Sequence, residues 1–258
     1  MHGSFDYSFR TSFFVRILIL IAVLFSTTTL GKCKEFSFSV MPPPGDVPAN
    51  TRFLIEGFGS GQVKVESLKS GEAVLVSSQS RIALIPEHLY IGQYLVSQIT
   101  LKPAEPLMQG IRYTLSVAGI DPADMFSSGD TSSKGWISNG AIDIEKPTWT
   151  STPVLLDRKT INRGNDPAEW IQVSAPVSDE NHCYILVQLK NQIETDYARS
   201  YLIPIKRGMI KVGHGVCSGP FNINSGYQYT ALLIPCDIAG NCNTAAGRTL
   251  HFSDMPEP

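Results

Sequence analysis

Four cysteines and two histidines in the C-terminal half are the residues of this chain best suited to chemistry. Cys183, Cys217, Cys236 and Cys242 come with His182 beside the first and His214 three residues before the second. Asp179, Glu180 and Asp237 lie close to them in sequence. Cysteine and imidazole together are zinc ligands, and a thiolate beside an imidazole is a nucleophile with its base. The spacing argues against both. There is no Cys-x-x-Cys knuckle, and His214 and Cys217 would share a strand whose alternating faces hold them apart. Four cysteines in an oxidising compartment pair instead as two disulfides, in any of three connectivities.

The compartment is read from the N-terminus. Arg10 and Arg16 precede the apolar run Ile17 to Phe25, followed by Thr27, Thr28, Thr29, Leu30 and Gly31. A basic flank, a short apolar core and small residues in that order make a secretory signal peptide, with cleavage expected after Gly31. The run is too short for a hydrocarbon core of about 30 Å. Leu30-Gly31-Lys32-Cys33 resembles a bacterial lipobox, but Lys32 stands where a small residue is required, so lipidation of Cys33 is the lesser expectation. Cys33 is otherwise the odd cysteine, a thiol or a link between chains. No other apolar stretch approaches membrane length, so no transmembrane segment is expected in the mature chain, which would be secreted or periplasmic. Losing residues 1–31 moves the formal charge from −2 to about −3. A balance so close to neutral argues against nucleic acid as partner, since phosphate binding needs a concentrated basic face.

Other motifs fail on context. Gly57-Phe58-Gly59-Ser60-Gly61 has the look of a phosphate loop, but QVKVES (62–67) after it alternates like a strand, so a hairpin turn is expected there. The chain has no His-Glu-x-x-His, no Gly-x-Ser-x-Gly and no Asn-x-Ser/Thr. Asp121, Asp124 and Asp130 lack the spacing of a calcium loop. Trp136, Trp149 and Trp170 are expected in cores or between domains, an exposed one being able to stack on carbohydrate. No catalytic residue, metal site or cofactor is therefore expected.

The elements that hold these residues are short, β-branched or aromatic, and bounded by turns. TRFLIEGF (51–58), EAVLV (72–76), IRYTLSV (111–117), CYILVQL (183–189), SYLIPI (200–205) and YTALLIP (229–235) are examples. Period-two alternation at this turn spacing reads as an all-β sandwich or barrel. Two matches divide the chain. Gly110-Ile111-Arg112-Tyr113-Thr114 recurs as Gly226-Tyr227-Gln228-Tyr229-Thr230, an offset of 116 residues, and Pro48-Ala49 recurs as Pro167-Ala168 at 119. A period near half the mature length predicts a tandem repeat. The division is a domain over 34–143, a stiff linker over 144–153 (IEKPTWTSTP) and a second domain over 154–254.

Asp237-Ile238-Ala239-Gly240-Asn241 with Tyr229 upstream resembles the fibronectin type III and bacterial immunoglobulin-like pattern, and Pro42 to Asn50 resembles the proline-rich lead-in of another bacterial Ig-like type. The resemblance implies two tandem Ig-like Greek-key sandwiches in which Tyr113 and Tyr229 pin a corner by folding their hydroxyls onto upstream backbone. It also implies that Cys183, Cys217, Cys236 and Cys242 share the end carrying the B–C, D–E and F–G loops. Cys236–Cys242 and Cys183–Cys217 are then the favoured pairs. Families of this kind are mostly binding, adhesion or spacer modules, so the expected function is a non-enzymatic envelope module facing a protein or glycan. Its binding surface would be the loop end with His182, His214, Asp237 and Asn241. The rival is a disulfide-braced protease inhibitor or a metal-dependent hydrolase at the same pole.

Overall fold

The computed structural model describes residues 36–125, 135–161, 168–178, 183–193, 199–223 and 226–253. Cys33, Asp130, Asp179, Glu180, His182 and the signal segment lie outside them. The N-terminal half holds β1 (Phe36–Met41), β2 (Gly45–Val47), β3 (Phe53–Gly59), β4 (Ala73–Val76), β5 (Arg81–Ile91), β6 (Val96–Pro103), β7 (Arg112–Val117) and β8 (Trp136–Ser138). The C-terminal half holds β9 (Leu155–Ile161), β10 (Ala168–Ser174), β11 (Cys183–Asn191), β12 (Arg199–Pro204), β13 (Met209–His214), β14 (Gln228–Asp237) and β15 (Arg248–Ser253). The fold is an all-β sandwich.

In the N-terminal half the strands run β1-β3-β6-β5-β4-β7-β8-β2. The eleven-residue β5 joins the two layers. Residues 81–83 pair with β4, and from Leu84 onward the strand pairs with β6, with a bulge between Pro86 and His88. Phe53, Ile55, Leu75, Leu84, Ile99 and Leu101 fill the space between the layers. Trp136 closes one end, edge-on to Phe53 at 4.8 Å, its indole N–H donating to Pro42 O at 3.0 Å. The hydroxyl of buried Tyr113 accepts the amide of Met108, five residues upstream, at 3.1 Å. In the C-terminal half β13-β10-β9 faces β12-β11-β14-β15 across a second core containing Ile171, Val173, Ile185, Val187, Val212 and Leu233. Tyr229 lies in that core, its ring stacked on Phe252 at 5.4 Å.

The segment expected as a strand over 62–67 is a helix, α1 (Ser60–Ser67). Gly59, at φ 60°, breaks the strand, and Gly57 and Gly61 let the helix lie against β1 and β3: a Cβ at Gly57 would collide with Gly61 O, and one at Gly61 would press on Ser37 O and the Phe38 ring. The two valines that mimic strand alternation part company: Val65 is buried and Val63 is 70% exposed. Glu66 accepts hydrogen bonds from Gln62 one turn back and from buried Ser97. A local 3.6-residue pairing therefore overrides the apparent period of two.

The halves meet as one body rather than as modules on a tether. β6 is buried at every position except Lys102, and β3 and β11 are buried on alternate sides along most of their length. One side of each fills its own core. The other side, with Leu54 on β3 and Tyr184, Leu202 and Ile234 from the C-terminal half, forms one apolar cluster across the junction. Gln98 is 1% exposed there. Its amide donates to Leu202 O at 2.8 Å and accepts from Leu202 N at 3.2 Å, standing in for a neighbouring strand at the free edge of β12. Glu56 accepts from the same amide and from the Tyr201 hydroxyl. Burial, then the Glu56 charge, pushes the Tyr201 phenol well above its ordinary range. Replacing Gln98 by Leu would leave the Leu202 amide and carbonyl buried without partners. We expect Gln98→Leu to lose about 1–3 kcal/mol in chemical denaturation; an unchanged midpoint would show that the junction does not depend on it.

Candidate functional site

Three fastenings set the distance between the halves. The β5–β6 turn bridges the C-terminal half through reciprocal bonds, Tyr94 N to Gly219 O at 3.1 Å and Gly219 N to Tyr94 O at 3.2 Å. The Tyr94 ring stacks on His214 at 4.2 Å. At the other end Arg52 N donates to Ile238 O, and Asp143 O accepts from both Asn50 and Asn241. The third fastening is the Gln98 pairing. Between them the facing strands leave a cleft of about 350 Å³, near the lower end of the 300–1,000 Å³ that small organic ligands occupy.

Residues from both halves wall the cleft. β3, β5 and β6 bring Leu54, Glu87, Tyr90 and Thr100, with Arg52 just ahead of β3. β11, β12 and the β14–β15 connection bring Tyr184, Gln188, Ser200, Asp237 and the Cys236–Cys242 disulfide. The charged groups face one another. Arg52 binds Glu87 through two nitrogens, Nε to Oε2 and the second to Oε1 at 3.2 Å. Its guanidinium lies across Gly240, at φ +83°, where any side chain would collide with it. Asp237 accepts from Asn241 twice, the amide on Oδ1 at 2.8 Å and Nδ2 on Oδ2 at 2.9 Å. Burial nevertheless raises the Asp237 carboxyl above its ordinary range, against the lowering effect of those bonds. Burial and the Glu87 charge raise Tyr90.

One buried polar atom of the wall is unspent. Tyr184 is 4% exposed, and its hydroxyl is buried without a hydrogen-bond partner. Burial, then the charges of Cys183 and Asp237, drives its pKa far up, so the phenol stays protonated. A buried hydroxyl without a partner costs about 1–3 kcal/mol of desolvation. A ligand acceptor in the cleft would remove that cost.

The expected cysteine pole is corrected by the register. Cys183 pairs with Asp237 at one end of the C-terminal half, and Cys236 and Cys242 lie there too. β13 runs antiparallel to β10, with Met209 opposite Ser174 and His214 opposite Glu169. His214 and Cys217 therefore fall at the far end, beside Tyr94. The Cys183–Cys217 pair does not form: Cys183 is a buried thiol. Cys217 is disulfide-bonded, and its partner is none of the other described cysteines. Asp237 and Asn241 are together, while buried His214 is used in stacking and in a 3.0 Å bond between Nδ1 and Gly215 O. Among the described residues no cluster of three or more His, Cys, Asp or Glu is placed to hold a metal ion. Trp170 lies under Lys211, whose ammonium is 5.0 Å from the ring centroid, and Trp149 donates to Ala246 O.

No family model matches the chain, and no curated protein is detectably similar. Among solved structures it is similar to a pullulanase type I from Bacillus subtilis str. 168 complexed with maltose, at 11% identity and TM-score 0.23, over 86% of this chain and 25% of that one. The N-terminal part of the bacterial S-layer protein SbsC overlaps 95% of this chain and 49% of its own, at 9% and 0.23. The Yersinia pseudotuberculosis adhesin InvE overlaps 84% and 58%, at 10% and 0.21. The chain thus spans about a quarter of the pullulanase and about half of the SbsC fragment. Overlaps this loose leave function to the chain's own geometry.

Two outcomes follow from the cysteine and aspartate geometry. Alkylation with peptide mapping should leave Cys183 unlabelled in the folded protein and label it on unfolding without reductant; labelling before unfolding would contradict its burial. Asp237, with its folded pKa raised above the unfolded value of about 3.9, contributes stability below that value and loses it as pH rises through the folded pKa. The stability advantage of the native chain over Asp237→Asn should therefore shrink between pH 3.5 and 7, whereas a constant difference would place the carboxyl outside the buried environment.

Proposed function

We propose that the protein is an exported, non-catalytic binding module of the cell envelope, with two Ig-like sandwiches joined back to back and a ligand seat in the cleft between them. The observation that carries the reading is the Tyr184 hydroxyl, buried in the cleft wall without a partner. Export rests on the N-terminal signal pattern and agrees with the Cys236–Cys242 disulfide. The Ig-like assignment rests on the Asp237–Asn241 turn and on the two tyrosine elements, with Tyr113 folding back onto Met108. A binding rather than catalytic role suits the wall chemistry. Its carboxylates are held by Arg52 and Asn241, and no nucleophile stands beside a base among the described cleft residues.

Ser200 lies half-exposed on the rim, where tryptophan would fill the cleft without entering either core. Native mass spectrometry after incubation with a solubilised envelope fraction should show a bound mass on the native chain. Ser200→Trp should lack that mass at an unchanged denaturation midpoint. Equal retention by both proteins would remove the cleft as the binding site.

A further inference from the structure

The charge accounting inside the cleft defines the class of ligand. Arg52 and Glu87 neutralise each other through two contacts, and each Asp237 oxygen accepts one bond from the uncharged Asn241. An anionic ligand would have to displace Glu87 from Arg52 and would face Glu87 and Asp237 as like charges, which is strongly unfavourable, whereas Asp237, held by the uncharged Asn241, keeps acceptor capacity for a ligand hydroxyl. Thr100 is also committed, its hydroxyl accepting from His88 N and donating to His88 O across the β5 bulge. The groups still open are hydroxyls, an amide and an imidazole. Besides Tyr184, the side chains of Tyr90, His88, Gln188 and Ser200 line the cleft and make no hydrogen bond to another described residue. Together they offer hydroxyl, imidazole and amide groups that donate and accept. Between them lie apolar surfaces of Leu54, Leu186, Leu202 and Ile238.

A ligand that matches this wall bears no anionic group, carries hydroxyls around a rim and presents a C–H face to apolar and aromatic surface. We infer that the cleft takes a neutral sugar ring, with the Tyr184 hydroxyl donating to a ring hydroxyl or the ring oxygen. The inference rests on the cleft being the binding site. The hydroxyl also allows an unusually clean test. Because it has no protein partner to lose, Tyr184→Phe should fold with unchanged or slightly greater stability while losing the bond it makes to the ligand.

The experiment is calorimetric titration of the full mature chain with glucose, galactose, N-acetylglucosamine, maltose and cellobiose. Inorganic phosphate and cadaverine serve as charged comparators. The expected result is saturable binding of at least one neutral sugar and none of phosphate or cadaverine. Tyr184→Phe should weaken that binding about tenfold, as one lost hydrogen bond does, and Ser200→Trp should abolish it. Binding of a comparator, abolished by Ser200→Trp, would overturn the sugar assignment and keep the cleft. Sugar binding that survives Ser200→Trp would overturn both. Sugar binding insensitive to Tyr184→Phe, or no sugar binding at all, would overturn the inference.

Discussion

The structure depends on two sheets that pack against each other across the junction as well as against their own cores. A sandwich sheet normally keeps one face in water, and its strands alternate apolar and polar accordingly. Here β6 is buried at every position but Lys102, and the second side of β11 turns from buried Tyr184 to half-buried Leu186 and Gln188 along the cleft. A polar group buried on that second face needs a partner, and the opposite half can supply it. Gln98 does so by taking both backbone groups of Leu202, and Glu56 by accepting from Gln98 and Tyr201. The raised Tyr201 phenol is the electrostatic mark of that burial. The pairing also blocks the free edge of β12, which would otherwise present an open row of amides and carbonyls.

The same constraint shapes the connection between the halves. Residues 144–153 have the composition of a stiff tether, yet the chain is fastened just before them and within them. Asp143 is held by Asn50 and Asn241, Pro147 O accepts from Asn243, and Trp149 donates to Ala246 O. Three of these partners lie in the segment that carries the Asp237–Asn241 turn and the residues just after it. The turn therefore fastens three things at once: the β14–β15 connection through its disulfide, the crossing segment, and Arg52 across Gly240. Arg52 in turn places Glu87, so the electrostatics of the cleft follow from a turn in the opposite half.

Much of the strand set was legible in the residues because it depends on local alternation and turns. The recurrence of Gly110 to Thr114 at Gly226 to Thr230 marks the starts of β7 and β14. Two features defeated that reading. α1 lies in a stretch whose two valines imitate a strand, and only the close packing permitted by Gly57 and Gly61 shows why it is helical. The cysteine pole failed because the end of the sandwich on which a residue falls depends on strand direction and register, and Cys217 comes after the end of β13 rather than at the start of a strand. The cleft was hidden for a further reason. Arg52 and Glu87 stand far along the chain from Tyr184 and Ser200, and no spacing rule links residues brought together by two facing sheets. A faint trace existed in Gln98 and Gln188, amides set beside apolar neighbours.

Tyr184 is the point at which this economy of partners breaks. The fold satisfies Gln98, Glu56, Thr100 and Asp237 with protein groups, although each lies at the same kind of junction. A phenylalanine at 184 would fill the space without the desolvation that an unbonded hydroxyl carries. Retaining the hydroxyl beside a cleft is consistent with a partner that arrives from outside. Such a partner would have to bring an acceptor for the phenol.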